Sequence, residues 1–155
     1  MSNSEERSAL NTRPGKGNFF LTPNGVFDVS DSGGANVSST SVWQDGLFSQ
    51  PPKQATQSGP MLVIDGELHP AFERDSPSRL IRNGIGVVGD SSMVVMAIST
   101  TRVNFYEFAA LMRDLGCDNA LYLDGNVSSV FAPGLGRRDS GLGLGPVIVV
   151  HEANE

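Results

Sequence analysis

The residues best able to do chemistry are gathered in the stretch from Asn119 to Pro133. An apolar strand, Ala120 to Leu123, runs into Asp124-Gly125. Ser128 and Ser129 follow, and a second apolar run begins at Val130. A carboxylate at the end of a buried strand, then a glycine turn with free amides and two hydroxyls, can hold a charged ligand. Backbone N–H groups that converge at such a turn form an anion-binding concavity. A plain Asp-Gly hairpin turn has the same local pattern, so these residues alone leave both readings open.

A second cluster could serve the same ligand. Arg82-Asn83-Gly84 stands at the mouth of an apolar run. A guanidinium there can grip a phosphate or carboxylate with two parallel hydrogen bonds, or can pair with a loop carboxylate such as Asp75. Asn18, Asn83 and Asn126 each flank a strand end, where a side-chain amide bonds a sugar hydroxyl or closes a turn. His69 and His151 are the two candidate general bases. No nucleophile elbow accompanies them, which argues against a serine-hydrolase triad. Asp65, Glu67, Glu73 and Asp124 could supply paired carboxylates for sugar chemistry.

The elements that must position these groups read mainly as hairpins. Asn18 to Asp28 carries apolar residues on both sides of Pro23-Asn24-Gly25, a tight-turn signal. Ser30 to Ser41 reads as a loop or weak edge strand, Val42 to Phe48 as a helical turn, and Gln50 to Gln57 as irregular around Pro51-Pro52. Met61–Ile64 and Glu67–His69 bracket an Asp65-Gly66 turn. Phe72 to Arg79 is a charged loop. Gly84–Val88 and Met93–Ser99 form a third hairpin, apolar enough to predict central strands. One helix is predicted over 104–115. Asn104 caps it with Glu107 three residues on, Phe105, Phe108, Ala109, Met112 and Leu115 recur at helical spacing, and Gly116 stops it. A last strand is expected over Val147 to Val150. Gly134 to Gly145 precedes a strand and lacks a Lys-Ser or Lys-Thr ending, unlike a phosphate-binding loop; it reads as a flap or connection. The fold class is α+β, an antiparallel or mixed sheet built from hairpins with one helix packed on it.

Composition bounds the remaining possibilities. The chain's 155 residues suit one domain, expected over 17–151, after a flexible arm over 1–16. Seventeen acidic residues against eleven basic ones give a net charge of −6, and no basic run exceeds Arg137-Arg138. Nucleic acid is therefore an unsuitable partner. The single cysteine, Cys117, forms no intrachain disulfide and reads as a packing residue at the helix exit. No apolar run reaches the roughly 20 residues that span a bilayer. The polar start lacks the apolar core of a signal peptide, so the chain as given reads as cytoplasmic. No Cys/His cluster has zinc spacing, no dense carboxylate loop favours a metal, and no cofactor is indicated.

Four segments occur together in one order. They are Gly17 to Phe27 (GNFFLTPNGVF), Gln57 to Gly66 (QSGPMLVIDG), Arg82 to Val87 (RNGIGV) and Asn119 to Ser129 (NALYLDGNVSS). In that order they resemble the phosphodiester glycosidase family, and in particular its bacterial, exopolysaccharide-related branch, whose members are often exported. The resemblance implies hydrolysis of a sugar-1-phosphodiester to free sugar and a phosphomonoester. It implies that Arg82 clamps the phosphate and that Asp124 is an orienting or acid/base carboxylate. Asn18, Asn83, Gly125, Asn126, Ser128 and Ser129 would then contact substrate. Val127 departs from the glycine-rich turn seen in part of the family. Family members also carry an N-terminal portion ahead of the Gly17 segment. Its absence here would leave a sheet edge for a second copy or a partner chain to complete. The alternative function is a module that binds a sugar phosphate or anionic glycan without turnover.

Overall fold

The computed structural model describes residues 10, 21–46, 52–89, 93–125, 127–139 and 147–151. Its strands are β1 (Gly25–Ser30), β2 (Ala35–Ser39), β3 (Pro52–Ser58), β4 (Met61–Ile64), β5 (Glu67–Leu68), β6 (Asn83–Val88), β7 (Met93–Ile98), β8 (Cys117–Asp124), β9 (Phe131–Ala132) and β10 (Arg137–Arg138). Among the described residues the helices are α1 (Thr40–Gln44) and α2 (Phe105–Asp114), with a 3-10 turn at Pro133–Leu135. The strands form a three-stranded sheet, β2-β1-β3, a five-stranded sheet, β5-β4-β8-β6-β7, and the β9–β10 ribbon. All of these pairings are antiparallel. The fold is α+β, as expected.

The five-stranded sheet is the middle layer, because its central strands are apolar on both faces. Phe27, Ala35, Val37, Met61, Ile85, Val87 and Leu121 pack between it and the three-stranded sheet. On its other face Leu62, Cys117, Ala120 and Tyr122 pack against Phe108, Ala109 and Met112 of α2. Neighbours along β8 thus divide between the two cores, Leu121 to one and Ala120 and Tyr122 to the other, as the strand period of two requires. Gly84 and Gly86 allow α2 to come close. A Cβ at Gly84 would meet Phe108, and one at Gly86 would meet Met112, each at 3.1 Å.

The α2 start forms as predicted. The Asn104 side chain accepts from the Glu107 N–H at 2.9 Å, and the Glu107 carboxylate accepts from the Asn104 N–H at 3.0 Å. Asn104 also donates to the carbonyls of Arg74 and Ser76, at 2.8 and 3.3 Å, so the cap ties the 72–79 loop to the helix. Gly116 ends the helix at φ +88°. The Asp65-Gly66 turn has both residues at positive φ, 49° and 81°, the geometry of a two-residue hairpin.

Several expectations are corrected. Asn24-Gly25 is not a tight turn. Gly25 opens β1, whose partners are β2 and β3, and the expected strand before it lies largely outside the described residues. Gln50 to Gln57 was expected to be irregular, but Pro52–Ser58 is β3. It pairs only with β1 on one side, and edge strands tolerate proline. β7 is an edge strand rather than a central one, with Met93 and Met96 about half exposed. Its apolar run misled because composition reports burial without reporting which strand has a neighbour. Val147 to Val150 is exposed and is not a strand; β-branched residues favour a pleated surface only where one receives them. The Ser30–Ser41 stretch does contain an edge strand, β2, and α1 begins within it.

Asn104→Ala removes the cap and leaves two carbonyls without donors, and should cost about 2–3 kcal/mol in urea unfolding. A loss below about 0.5 kcal/mol would show that the cap is dispensable. Asp28 gives a pH-dependent test. It is 6% exposed and accepts from the Asn36 amide at 3.3 Å. Burial raises its carboxyl above the ordinary value of 3.8, against the Asn36 bond, which lowers it. The folded chain therefore keeps this proton to higher pH than the unfolded chain. The associated stability is full below the unfolded value and is lost as pH rises through the folded one. Asp28→Asn should raise the melting temperature near neutral pH, and the gap should close below about pH 4. A gap that is constant with pH would contradict this assignment.

Candidate functional site

Arg82, Asn83, Asp124, Gly125 and Ser128 converge where β6 begins and β8 ends. The register pairs Asn83 with Asp124. The Asn83 side-chain oxygen accepts from the Asp124 N–H at 3.0 Å. The Gly125 N–H bonds back to the Asp124 carboxylate. Ser128 donates its one hydroxyl proton between two carbonyls, those of Asp124 at 2.9 Å and Ile81 at 3.1 Å. The turn after β8 is thus fastened to the strand before β6 by side chains that sequence had nominated as ligands. Asp124, Gly125, Ser128 and Ser129 are half-buried. Asn18 and Asn126 lie outside the described residues.

Arg82 lies beneath this turn and is fully buried. Its Nε donates to the Val103 carbonyl and one terminal nitrogen to the Ser78 carbonyl, each at 2.9 Å. The Phe105 ring stacks under the guanidinium, 3.7 Å from its central carbon to the ring centre, and the Tyr122 ring lies at 5.4 Å. Burial pulls the Arg82 pKa below its usual range, and the Tyr122 hydroxyl opposes that shift. The same hydroxyl is pushed up by its own burial, with the Asp124 charge adding and Arg82 opposing. Nη1 of Arg82 has no well-formed hydrogen bond among the described residues.

Arg82 is in none of the ion pairs among the described residues, and Asp75 is exposed. The expected alternative, an Arg82–Asp75 pair, does not form. A guanidinium buried on carbonyls and ring faces alone is costly; the desolvation penalty is several kcal/mol per ion. Charged hydrogen bonds of about 1.5–3 kcal/mol each offset part of it, as does stacking of up to about 2 kcal/mol. Among the described residues the charge is held in place without an ion-pair partner.

Other nominated groups lie elsewhere. The Asp65 N–H bonds to Asn119 and the Gly66 N–H to Asp118. That hairpin is therefore about five residues, or roughly 16 Å, along β8 from Asp124. Asp65 and Glu67 cannot pair with Asp124 for sugar chemistry, and Glu73 is exposed in its loop. His69 is buried, with Nδ1 accepting from the Ala71 N–H and Nε2 on the Thr22 carbonyl, both at 3.1 Å. Both ring nitrogens are committed to backbone, and burial lowers its pKa. His151 is exposed. Cys117 is buried at the start of β8, and burial raises its thiol pKa, which suits packing. Among the described residues no group of three or more His, Cys, Asp or Glu could hold a metal, and no helix is long and apolar enough to cross a membrane. A shallow cleft lined by Thr22, Pro23, Asn24, Ser39, Thr40 and Ser41 shares no residue with the site.

Sequence reasoning missed Tyr122, Phe105 and the carbonyls that hold Arg82. Residue type and spacing place Phe105 on the helix face and Tyr122 in a strand, and go no further. They lie edge to face, with ring centres 4.8 Å apart. Sequence spacing carried no signal that they flank one guanidinium.

Comparison with known proteins agrees with the motif order. The model of the phosphodiester glycosidase family matches residues 1–149. The chain is 34% identical over 135 residues to the uncharacterized protein YigE of Escherichia coli strain K12, across 85% of this chain and 50% of that protein. It thus spans about half the length of this curated relative. Among solved structures it is similar to the zebrafish N-acetylglucosamine-1-phosphodiester alpha-N-acetylglucosaminidase catalytic domain, auto-inhibited by its pro-peptide. That likeness has 18% identity and a TM-score of 0.48, over 66% of this chain and 40% of that one. With a family match over nearly its whole length, this chain belongs to the phosphodiester glycosidase family.

Proposed function

We propose that the chain is a hydrolase that cleaves a sugar-1-phosphodiester, with water, to free sugar and a phosphomonoester. The observation that carries this reading is the buried Arg82, which has no ion-pair partner among the described residues, at the strand start that the Asp124–Ser129 turn is fastened to. A phosphodiester carries one negative charge, and an anion above that turn would supply the missing counter-charge. It would do so in a setting where a fixed charge acts far more strongly than in water. Asp124 serves as the orienting or acid/base carboxylate. Ser129 and Asn126 contribute hydroxyl and amide contacts to the phosphate or sugar, with Asn18 as a further substrate contact, while Gly125, Asn83 and Ser128, whose bonds are spent within the turn, shape the surface that receives it. No cofactor is invoked.

A second reading is favoured by one observation, that the side chains of Asn83 and Ser128 are spent on the backbone of the turn and so shape it without being free to react. On that reading the same turn binds a sugar phosphate or anionic glycan without turnover.

Release of free N-acetylglucosamine from its 1-phosphodiester tests the first reading. Wild type should release the sugar. Arg82→Lys keeps the charge but cannot reach both carbonyls, and should lower kcat/KM by roughly a hundredfold or more. Equal rates for the two proteins, both folded by thermal melt, would remove Arg82 from the reaction. Saturable heat on titration with the sugar phosphate, with no product, would select the binding module.

A further inference from the structure

Tyr122 is not among the residues assigned above to the proposed reaction, yet it is in contact with both halves of the site. It is 2% exposed and belongs to the core under α2. Its hydroxyl occupies the space a Cβ would need at Gly125, and its ring carbon beneath the hydroxyl would be 3.3 Å from that Cβ. Gly125 is not at positive φ. Glycine is therefore required here by the phenol oxygen and not by the turn's backbone. On its other side the ring is 5.4 Å from the Arg82 guanidinium carbon, and Phe105 fixes it edge to face. A rigid buried ring with its oxygen wedged against a turn defines the distance between the guanidinium and that turn.

We propose that Tyr122 is a positioning residue: its phenol oxygen holds the Arg82 guanidinium in register with the Asp124–Gly125 turn, so that the buried charge addresses an anion bound at that turn. This role rests on the function proposed above. The phenol acts through Arg82 and the turn and does not itself react. Three features support it. The oxygen faces Gly125; it interacts with Arg82, whose Nη1 has no complete bond elsewhere among the described residues; and the Asp124 charge acts on the same hydroxyl. Other hydroxyls in the site are differently placed, since Ser128 is committed to two carbonyls.

Tyr122→Phe keeps the ring and removes only the oxygen. Steady-state hydrolysis and thermal melts of wild type, Tyr122→Phe, Gly125→Ala and the double variant test the role. Where the chain binds without turnover, the Kd for N-acetylglucosamine-1-phosphate replaces KM. Tyr122→Phe should melt like wild type and raise KM roughly ten- to a hundredfold with kcat little changed. An anion held in ground and transition states alike loses binding in both. Gly125→Ala should lower the melting temperature, and adding Tyr122→Phe should restore most of it while KM stays raised. A merely structural role would move stability and activity together. Wild-type KM in Tyr122→Phe, beside an impaired Arg82→Lys, overturns the positioning role and leaves the proposed site standing. So does a Gly125→Ala variant as stable as wild type, since the wedge would not exist. A wild-type chain that neither turns over nor binds sugar phosphate removes the proposed function itself, and the role of Tyr122 with it.

Discussion

The local structure around the site depends on one expensive object, a guanidinium in the protein interior with no ion-pair partner among the described residues. Arg82 can be there only because other groups share the cost. Two carbonyls accept from it, Phe105 offers a ring face, and Tyr122 lies alongside. Each of those groups comes from a different part of the chain. Ser78 belongs to the loop before β6, Val103 to the segment before α2, Phe105 to the first turn of α2, and Tyr122 to β8. The guanidinium therefore acts as a tie between loop, helix and sheet. Misplacing any one of them would leave a buried charge poorly satisfied, which costs more than the loss of an ordinary contact.

The layered architecture makes that tie possible. A middle sheet with an apolar sheet on one side and a helix on the other leaves its strand ends as natural places for polar groups. The approach of α2 is close because Gly84 and Gly86 present no side chain to it. The cap at Asn104 then anchors the 72–79 loop, which presents the Ser78 carbonyl to Arg82. Capping, packing and site geometry are in this way one arrangement, with the helix start serving all three.

Much of the fold was legible from residues alone because its signals are local. The Asn104–Glu107 box, the Gly116 stop and the Asp65-Gly66 turn each rest on interactions within a few residues, and each forms as expected. The readings that failed needed non-local facts. Whether β7 has a neighbour on its outer side, whether Pro52–Ser58 finds a strand to pair with, and whether Val147–Val150 finds one are questions about the rest of the chain. Apolar composition answers none of them.

The candidate site divides along the same line. The sequence by itself determined the α+β class, the helix and its ends, the proximity in chain of Asp124, Gly125, Ser128 and Ser129, and, through four ordered motifs, the family. Those are matters of residue type, spacing and order. Only the tertiary structure decided that Arg82 is buried under the Asp124 turn, that Asn83 and Ser128 spend their side chains fastening that turn, and that Asp65 and Glu67 are at the far end of β8. It alone brought Tyr122 and Phe105 to the guanidinium, and it alone showed that Gly125 is glycine because a phenol oxygen occupies its Cβ position. These depend on strand register and on which side chains meet across layers, and such contacts are formed by residues tens of positions apart.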